Sequence, residues 1–138
     1  MKKQTLQAMP FNLNSGTKKI ILGYGTYDDS NNLAVLGVDV LTNKPVFEAT
    51  INAIGLKKKL KKNQAYINTI DYRFYKNELL DFLKTYEIAK NLDRPIVIEG
   101  NEFPLYEFDL SKMWNFKNRY IEVEVENIES HAEKEENK

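Results

Sequence analysis

Cysteine is absent from this chain of 138 residues, which excludes disulfide staples, thiolate zinc sites and cysteine nucleophiles. A secreted domain of this size often relies on disulfide bonds, so we expect a cytoplasmic protein. The abundance of Lys, Asn, Ile and Tyr is typical of an AT-rich coding sequence, and it indicates a low-GC bacterial host cell.

Long apolar segments are also lacking. No stretch approaches the roughly 20 apolar residues that a membrane-spanning helix needs. The start of the chain is basic, but no apolar run of signal-peptide length follows it. The sequence therefore predicts a protein without membrane association.

Histidine occurs once, as His131, without a His or Cys partner. A catalytic triad or a histidine general base therefore has no candidate. The glycines Gly23 and Gly25 resemble a phosphate-binding loop, but turn formers and another strand follow them, where such a loop needs the start of a helix. Glycines inside a strand more often mark a bulge or close packing.

Metal ligands are equally scarce. Asp28, Asp29 and Asp39 are conceivable ligands, but adjacent aspartates in a turn point in different directions, whereas calcium and magnesium need several converging oxygens. Turn formation accounts for the first two without a metal. We therefore expect a protein that is not an enzyme and that has no catalytic residues, no metal and no cofactor.

What the chain does have is enough apolar and aromatic residues for one core. Hydrophobic residues make up 42%, including 8 Tyr, 7 Phe and 1 Trp. The net charge is zero but unevenly spread: residues 1–62 hold ten lysines and four acids, and residues 119–138 hold three basic and seven acidic groups. Either the surface is bipolar, which steers charged partners, or the two ends lie side by side and neutralise each other.

Most of the chain has the pattern of short strands between turn formers. Strands are predicted over 18–27, 33–40, 46–51, 65–69, 95–99, 103–110 and 120–126. Strands joined by short turns pair antiparallel. The sequence thus predicts a meander of five to seven strands.

One helix is predicted, from about Asn77 to Lys90, because its apolar residues recur at helical spacing. The fold class is therefore α+β, an antiparallel sheet with one main helix packed on it. We expect an irregular arm over 1–16, a single α+β domain over 17–126 and a disordered acidic tail over 127–138.

A run of lysines interrupts this pattern after Gly55. The basic loop consists of Lys57, Lys58, Lys59, Lys61 and Lys62. With Tyr66 nearby, it is a candidate for nucleic-acid binding through phosphate contacts and base stacking. The alternatives are an acidic protein surface as partner or a merely solvated loop.

The strand over 120–126 alternates apolar and acidic residues, which predicts a half-exposed strand with a face formed by Glu122, Glu124 and Glu126. These glutamates either protect an edge strand from aggregation or mimic a phosphate backbone. Trp114 and Phe116, in a short connection, are candidate interface anchors or core residues.

Several ordered stretches resemble an uncharacterised family, a domain of unknown function found on conjugative plasmids and phages of low-GC Gram-positive bacteria. The stretches that carry the resemblance lie within residues 32–113 and comprise 32–35, 38–39, 49–52, 63–69, 80–83 and 103–110. The basic loop and the segment after Lys117 depart from the family pattern.

The resemblance implies an accessory protein of a mobile element, and it brings no catalytic residues. Small proteins in that setting are often inhibitors of host defence, including anti-CRISPR proteins, an association rather than a physical argument. The hypothesis is thus an inhibitor that binds a host defence effector, such as a CRISPR nuclease, through Glu122, Glu124, Glu126, Trp114 and Phe116. The alternative is a nucleic-acid-binding accessory protein that uses the basic loop.

Overall fold

A computed structural model describes residues 3–55, 59–70, 74 and 76–125. The strands and the helix in these residues follow in chain order: β1 Gln4–Gln7, β2 Met9–Leu13, β3 Gly16–Thr26, β4 Leu33–Asp39, β5 Lys44–Glu48, β6 Gln64–Tyr66, α1 Lys76–Thr85, β7 Ala89–Asn91, β8 Ile96–Ile98, β9 Asn101–Phe103, β10 Leu105–Phe108, β11 Trp114–Asn115 and β12 Ile121–Glu124.

The main sheet has the order β11-β3-β4-β5, and β2 also pairs with β3. The pairings of β2 with β3, β3 with β4 and β4 with β5 are antiparallel, whereas β11 runs parallel to β3. The turns between the antiparallel strands are built where the sequence predicted them. Asn31 and Asn43 adopt the left-handed backbone conformation, with φ of 59° and 58°, which asparagine tolerates better than most residues.

A second, separate sheet has the order β6-β10-β7. After β5 the chain pairs briefly with the end of β6, through a bridge between Thr50 and Ile67. The strands β8 and β9 form a separate hairpin beyond it. Pro104 lies between β9 and β10, where its missing N–H interrupts what the sequence predicted as one strand.

The two ends of the described chain form a third unit. β1 and β12 pair in parallel, with Gln4 opposite Ile121 and Gln7 opposite Glu124. We call this pair the ribbon. The basic and acidic ends therefore do lie side by side, and the Lys3 ammonium forms an ion pair with the Glu122 carboxylate.

The first core lies between the main sheet and α1. Its centre is a cluster of phenylalanine rings: Phe11 stacks on Phe47 with ring centroids 4.5 Å apart, and Phe82 of α1 meets Phe11 edge-on at 5.1 Å. Gly37 makes room for this cluster, because a Cβ there would lie 2.2 Å from the Phe47 ring. Such packing of a helix on aromatic rings accounts for the apolar stripe seen in the sequence.

Two smaller clusters complete the interior. The second core is built from Ala53, Tyr66, Phe103 and Leu105. The third core lies on the opposite face of the main sheet, under the ribbon: Leu6, Ile21 and Val38 are buried, and half-buried residues pack around them. These are Val40, Trp114, Phe116, Ile121 and Val123.

The α+β class is confirmed, but the single meander is wrong, because the strands are divided among several sheets and two pairings are parallel. The irregular arm is also wrong, since residues 4–7 and 9–13 form strands. The tail predicted over 127–138 lies outside the described residues.

The helix is shorter than predicted. It ends at Thr85, and β7 occupies residues assigned to it from the sequence. Glu87 takes the left-handed conformation, with φ of 52°, while Ile88 N–H donates to the Leu83 carbonyl and Glu87 N–H to the Lys84 carbonyl. This pair of bonds is the Schellman motif, which terminates a helix. In the part of the chain that the structure describes, no helix has the length and apolar character to cross a membrane.

Candidate functional site

The acidic face predicted on the last strand is present in part. Glu122 and Glu124 are exposed, while Ile121 and Val123, which alternate with them, are half-buried on the third core. Alternation at period two therefore places the two carboxylates on one side of β12. Glu126 lies outside the described residues.

Lys3 changes the electrostatics of this face. Its ammonium pairs with Glu122, although both side chains stay more than half exposed, at 64% and 52%. No ion pair joins Glu124 to another residue in the ranges that the structure describes. Within the described residues, the face therefore offers one carboxylate without an ion pair and one that an exposed lysine contacts.

Trp114 and Phe116 are half-buried rather than fully exposed. Their rings meet edge-on at 4.9 Å, and the Trp114 indole N–H donates to the Asn118 carbonyl at 2.9 Å. A Cβ on Gly23 would lie 2.2 Å from the Phe116 ring. The glycine-rich strand thus serves close packing, and the two aromatic rings form a floor beneath the ribbon.

The basic loop is described from Lys59 onward, and its residues 57 and 58 fall outside the described ranges. Lys59, Lys61 and Lys62 are exposed, as phosphate contacts require. Tyr66, in contrast, is 8% exposed and belongs to the second core. It therefore offers no ring for a base to stack on.

A polar cluster around Tyr27 escaped the sequence analysis. The Tyr27 hydroxyl donates to the Glu48 carboxylate, and it lies 3.1 Å from the Thr50 hydroxyl. Burial of the phenol is the largest cause that raises the pKa of Tyr27, and its hydrogen bond to Glu48 is the second. A phenol held in this way stays protonated near neutral pH, so it acts as a donor that fixes β3 to the end of β5.

Two of the three aspartates considered as metal ligands, Asp29 and Asp39, have structural partners. The Asn52 amide donates to the Asp29 carboxylate at 2.7 Å and accepts from the Ser30 hydroxyl at 2.6 Å. Asp39 accepts from the Leu41 N–H at 2.9 Å and lies 3.6 Å from the Lys18 ammonium. Across the described ranges, no group of three or more acids or histidines is placed to hold a metal ion.

A hollow of about 900 Å³ lies along β7 and β10. Its charged lining mixes both signs, with Lys84, Glu87, Lys90, Glu107 and Asp109. Two of the three acids are engaged separately: Asn63 donates to Glu107, and the Ser111 hydroxyl donates to Asp109 and lowers the pKa of that carboxyl. Glu107 and Asp109 therefore have different hydrogen-bond partners.

A smaller cleft of about 390 Å³ is lined by residues of β1, and no residue of β12 lines it. Residues 5–10 form one wall, and Tyr86, Ile88, Ser111 and Lys112 form the other. The Lys112 ammonium donates to the Glu87 carbonyl at 3.0 Å and to the Tyr86 carbonyl at 3.5 Å. We call this feature the β1 cleft.

Comparison with known proteins identifies no relative: no protein-family model matches the chain, no curated protein resembles it, and no solved structure matches its fold. The resemblance noted from the sequence therefore stays a prediction. The geometry of the described residues carries the functional argument.

Proposed function

We propose that this protein is a non-enzymatic binding protein that docks on a host defence effector through the ribbon and inhibits it. The observation that carries the proposal is the pair of exposed glutamates, Glu122 and Glu124, on a strand whose inward face is half-buried. Residues two apart on a strand lie about 7 Å from each other. The ribbon therefore holds two carboxylates at a fixed spacing, which suits a basic groove built for a phosphate backbone.

The ion pair with Lys3 does not block such docking. Surface ion pairs contribute about 0–1 kcal/mol, so a cation on the partner can replace the Lys3 ammonium at little cost. Trp114 and Phe116 support the ribbon from beneath, and we assign them that role instead of direct contact. This role is consistent with their half-buried packing.

The class of partner follows from the family resemblance described for the sequence. An accessory protein of a mobile element meets the defence systems of its host, and a CRISPR nuclease carries the kind of cationic nucleic-acid channel that an acidic ribbon fits. The cytoplasm of the bacterial host is the compartment in which this encounter takes place. The proposed mechanism is steric occupation of that channel, and it needs no bond to be made or broken.

The decisive experiment combines capture with matched charge variants. The full chain is used to capture partners from lysates of a low-GC Gram-positive host that expresses a CRISPR nuclease, and the affinity of the captured nuclease is then measured. Glu122→Gln with Glu124→Gln removes the ribbon charges. Glu99→Gln with Glu102→Gln removes two exposed glutamates of the β8–β9 hairpin and serves as the control.

We expect the ribbon variant to lose at least about ten-fold in affinity, about 1.4 kcal/mol, and the hairpin variant to lose less than two-fold. Equal effects of the two variants would mean that net charge, and not the ribbon, governs binding. Failure to capture any nuclease would contradict the proposal that the partner is a CRISPR nuclease.

The rival function is nucleic-acid binding by the basic loop, which the exposure of Lys59, Lys61 and Lys62 favours. Replacing these three lysines with Ser tests it, with Lys44→Ser, Lys76→Ser and Lys117→Ser as an equally charged exposed control. The rival predicts that the native protein shifts labelled single-stranded DNA at low salt and that the loop variant alone abolishes the shift. The buried Tyr66 counts against this outcome.

A further inference from the structure

The backbone of β1 is engaged on one side only by the described strands. The Gln4 N–H donates to the Tyr120 carbonyl at 2.8 Å, and the Ala8 N–H donates to the Glu124 carbonyl at 2.8 Å. Alternate residues of a strand direct their backbone groups to the same neighbour. Thr5 and Gln7 therefore direct theirs away from β12, and among the described strands β1 has no second partner.

The β1 cleft lies along this open edge. The lining includes every residue from 5 to 10, and the facing wall is supplied by Tyr86 and Ile88 after the helix and by Ser111 and Lys112. The Gln4 side-chain amide donates to the Met113 carbonyl at 2.8 Å, so the two walls are joined at one end. One wall of the cleft therefore offers peptide groups at strand spacing.

Lys112 places a positive charge at the wall of the β1 cleft. Its ammonium is held by the carbonyls of Tyr86 and Glu87, and no carboxylate in the described ranges lies within ion-pairing distance of it. Asp109 is near enough for Lys112 to help lower the pKa of its carboxyl, but the hydroxyl of Ser111 is the first cause of that shift. The cation at the wall of the cleft is therefore open to an anionic ligand.

We propose that the β1 cleft binds an extended acidic peptide segment of a partner protein, which adds to β1 as a further strand and places a carboxylate against Lys112. Peptides that extend a sheet in this way gain affinity from main-chain hydrogen bonds and specificity from side-chain contacts. Thr5 and Gln7 supply the main-chain groups, and Lys112 supplies the charge preference. This inference does not depend on the proposed function, which uses the exposed glutamates of β12.

The test titrates the isotope-labelled full chain with two capped peptides. The chemical shifts of the backbone amides report binding. The first has the sequence Ser-Val-Thr-Val-Glu-Val-Thr-Ser, and the second has Gln in place of Glu. The edge variant is Thr5→Pro, which removes an outward N–H without removing a bond to β12, the position where a strand tolerates proline. Thr5→Val is its matched control, because it keeps the N–H and the branched side chain.

The proposal predicts that the acidic peptide shifts the amides of Thr5, Gln7 and Lys112. Thr5→Pro weakens binding by about ten-fold, and Thr5→Val weakens it by less than two-fold. Lys112→Met weakens the acidic peptide by about five-fold and leaves the Gln peptide unaffected, whereas Lys84→Met, on the helix, affects neither. Melting curves of all variants check folding, and Gln7→Pro replaces Thr5→Pro if the latter does not fold.

Three results would overturn the proposal. The first is equal binding by the two Thr5 variants, since the edge of β1 would then not take part. The second is equal affinity for the acidic and the Gln peptide, because Lys112 would then select nothing. The third is a dimer in the native protein that Thr5→Pro dissociates, which would show that a second copy of this chain occupies the edge.

Discussion

The first core and the third core lie on opposite faces of the same sheet, and they differ in how deeply their side chains are buried. Between the main sheet and α1, Phe11 and Phe47 are 2% and 1% exposed. The third core buries Leu6, Ile21 and Val38, but the residues around them are only half-buried: Val40, Trp114, Phe116, Ile121 and Val123. Because buried apolar area stabilises in proportion to its size, the first core carries the stability of the fold. The ribbon is the less deeply packed layer, and segments of lower local stability are where proteins often place binding surfaces.

Truncating one ring in each core should give the largest difference. We expect Phe47→Ala to lower the free energy of unfolding by about 3–5 kcal/mol, the usual loss for a fully buried ring. Phe116→Ala should cost about 1–2 kcal/mol, because part of its surface is already in water. Denaturant melts of the two variants measure both. Equal losses would contradict the assignment of stability to the first core.

Two glycines allow the same comparison, because a Cβ added at either one would meet an aromatic ring at the same distance. A Cβ would lie 2.2 Å from the ring of Phe47 at Gly37 and from the ring of Phe116 at Gly23. We expect Gly37→Ala to cost about 2–3 kcal/mol, since Phe47 has nowhere to move. Gly23→Ala should cost about 1 kcal/mol, since the end of the half-buried Phe116 ring can swing outward. Thermal melts compare the pair, and the reverse order would refute the account.

The Tyr27 cluster links the hairpin of the main sheet to the segment that leads into the second sheet. Its burial and its bond to Glu48 raise the pKa of Tyr27 above the usual value of a phenol. A raised pKa means that the unfolded chain loses this proton first, so the stabilisation is complete below about pH 10 and declines at higher pH. We expect Tyr27→Phe to cost about 1–2 kcal/mol at pH 7 and to reduce the alkaline loss of stability. Melts from pH 8 to 11 test this, and an unchanged alkaline slope would contradict it.

The ion pair at the surface of the ribbon should give the smallest effect. We expect Lys3→Met to change the free energy of unfolding by less than about 0.5 kcal/mol, because both partners are more than half exposed. Lys18→Met removes the cation beside the buried Asp39 and serves as the comparison, with an expected loss of about 1–2 kcal/mol. A larger loss for Lys3→Met than for Lys18→Met would show that the ribbon is held by charge rather than by the third core.

Local patterns in the sequence predicted local structure well. The turn formers at 28–32 close the hairpin of β3 and β4, and the alternation of Ile121 to Glu124 gives a strand with one face inward. The helix end was missed because it depends on Glu87, a residue without intrinsic preference for the left-handed conformation that it adopts there. A glutamate in the sequence therefore gives no sign that the helix ends there.

The candidate site was harder to predict because it is assembled from distant parts of the chain. The parallel pairing of β1 with β12 joins residues more than 110 positions apart, and no periodicity encodes such a contact. Glycine in a strand, as at Gly23, indicates a bulge or close packing, but sequence spacing does not identify Phe116 as the ring that packs on it. The burial of Tyr66 likewise follows from the second core and not from its neighbours in sequence.

Hydrogen exchange of the free protein and of its complex with the captured nuclease tests the separation of stability and binding most directly. We predict that, before binding, amides of β1 and β12 exchange faster than those of β3 and β4, and that binding protects the ribbon amides alone. Protection gained at residues 59–62, with the ribbon unchanged, would contradict the account.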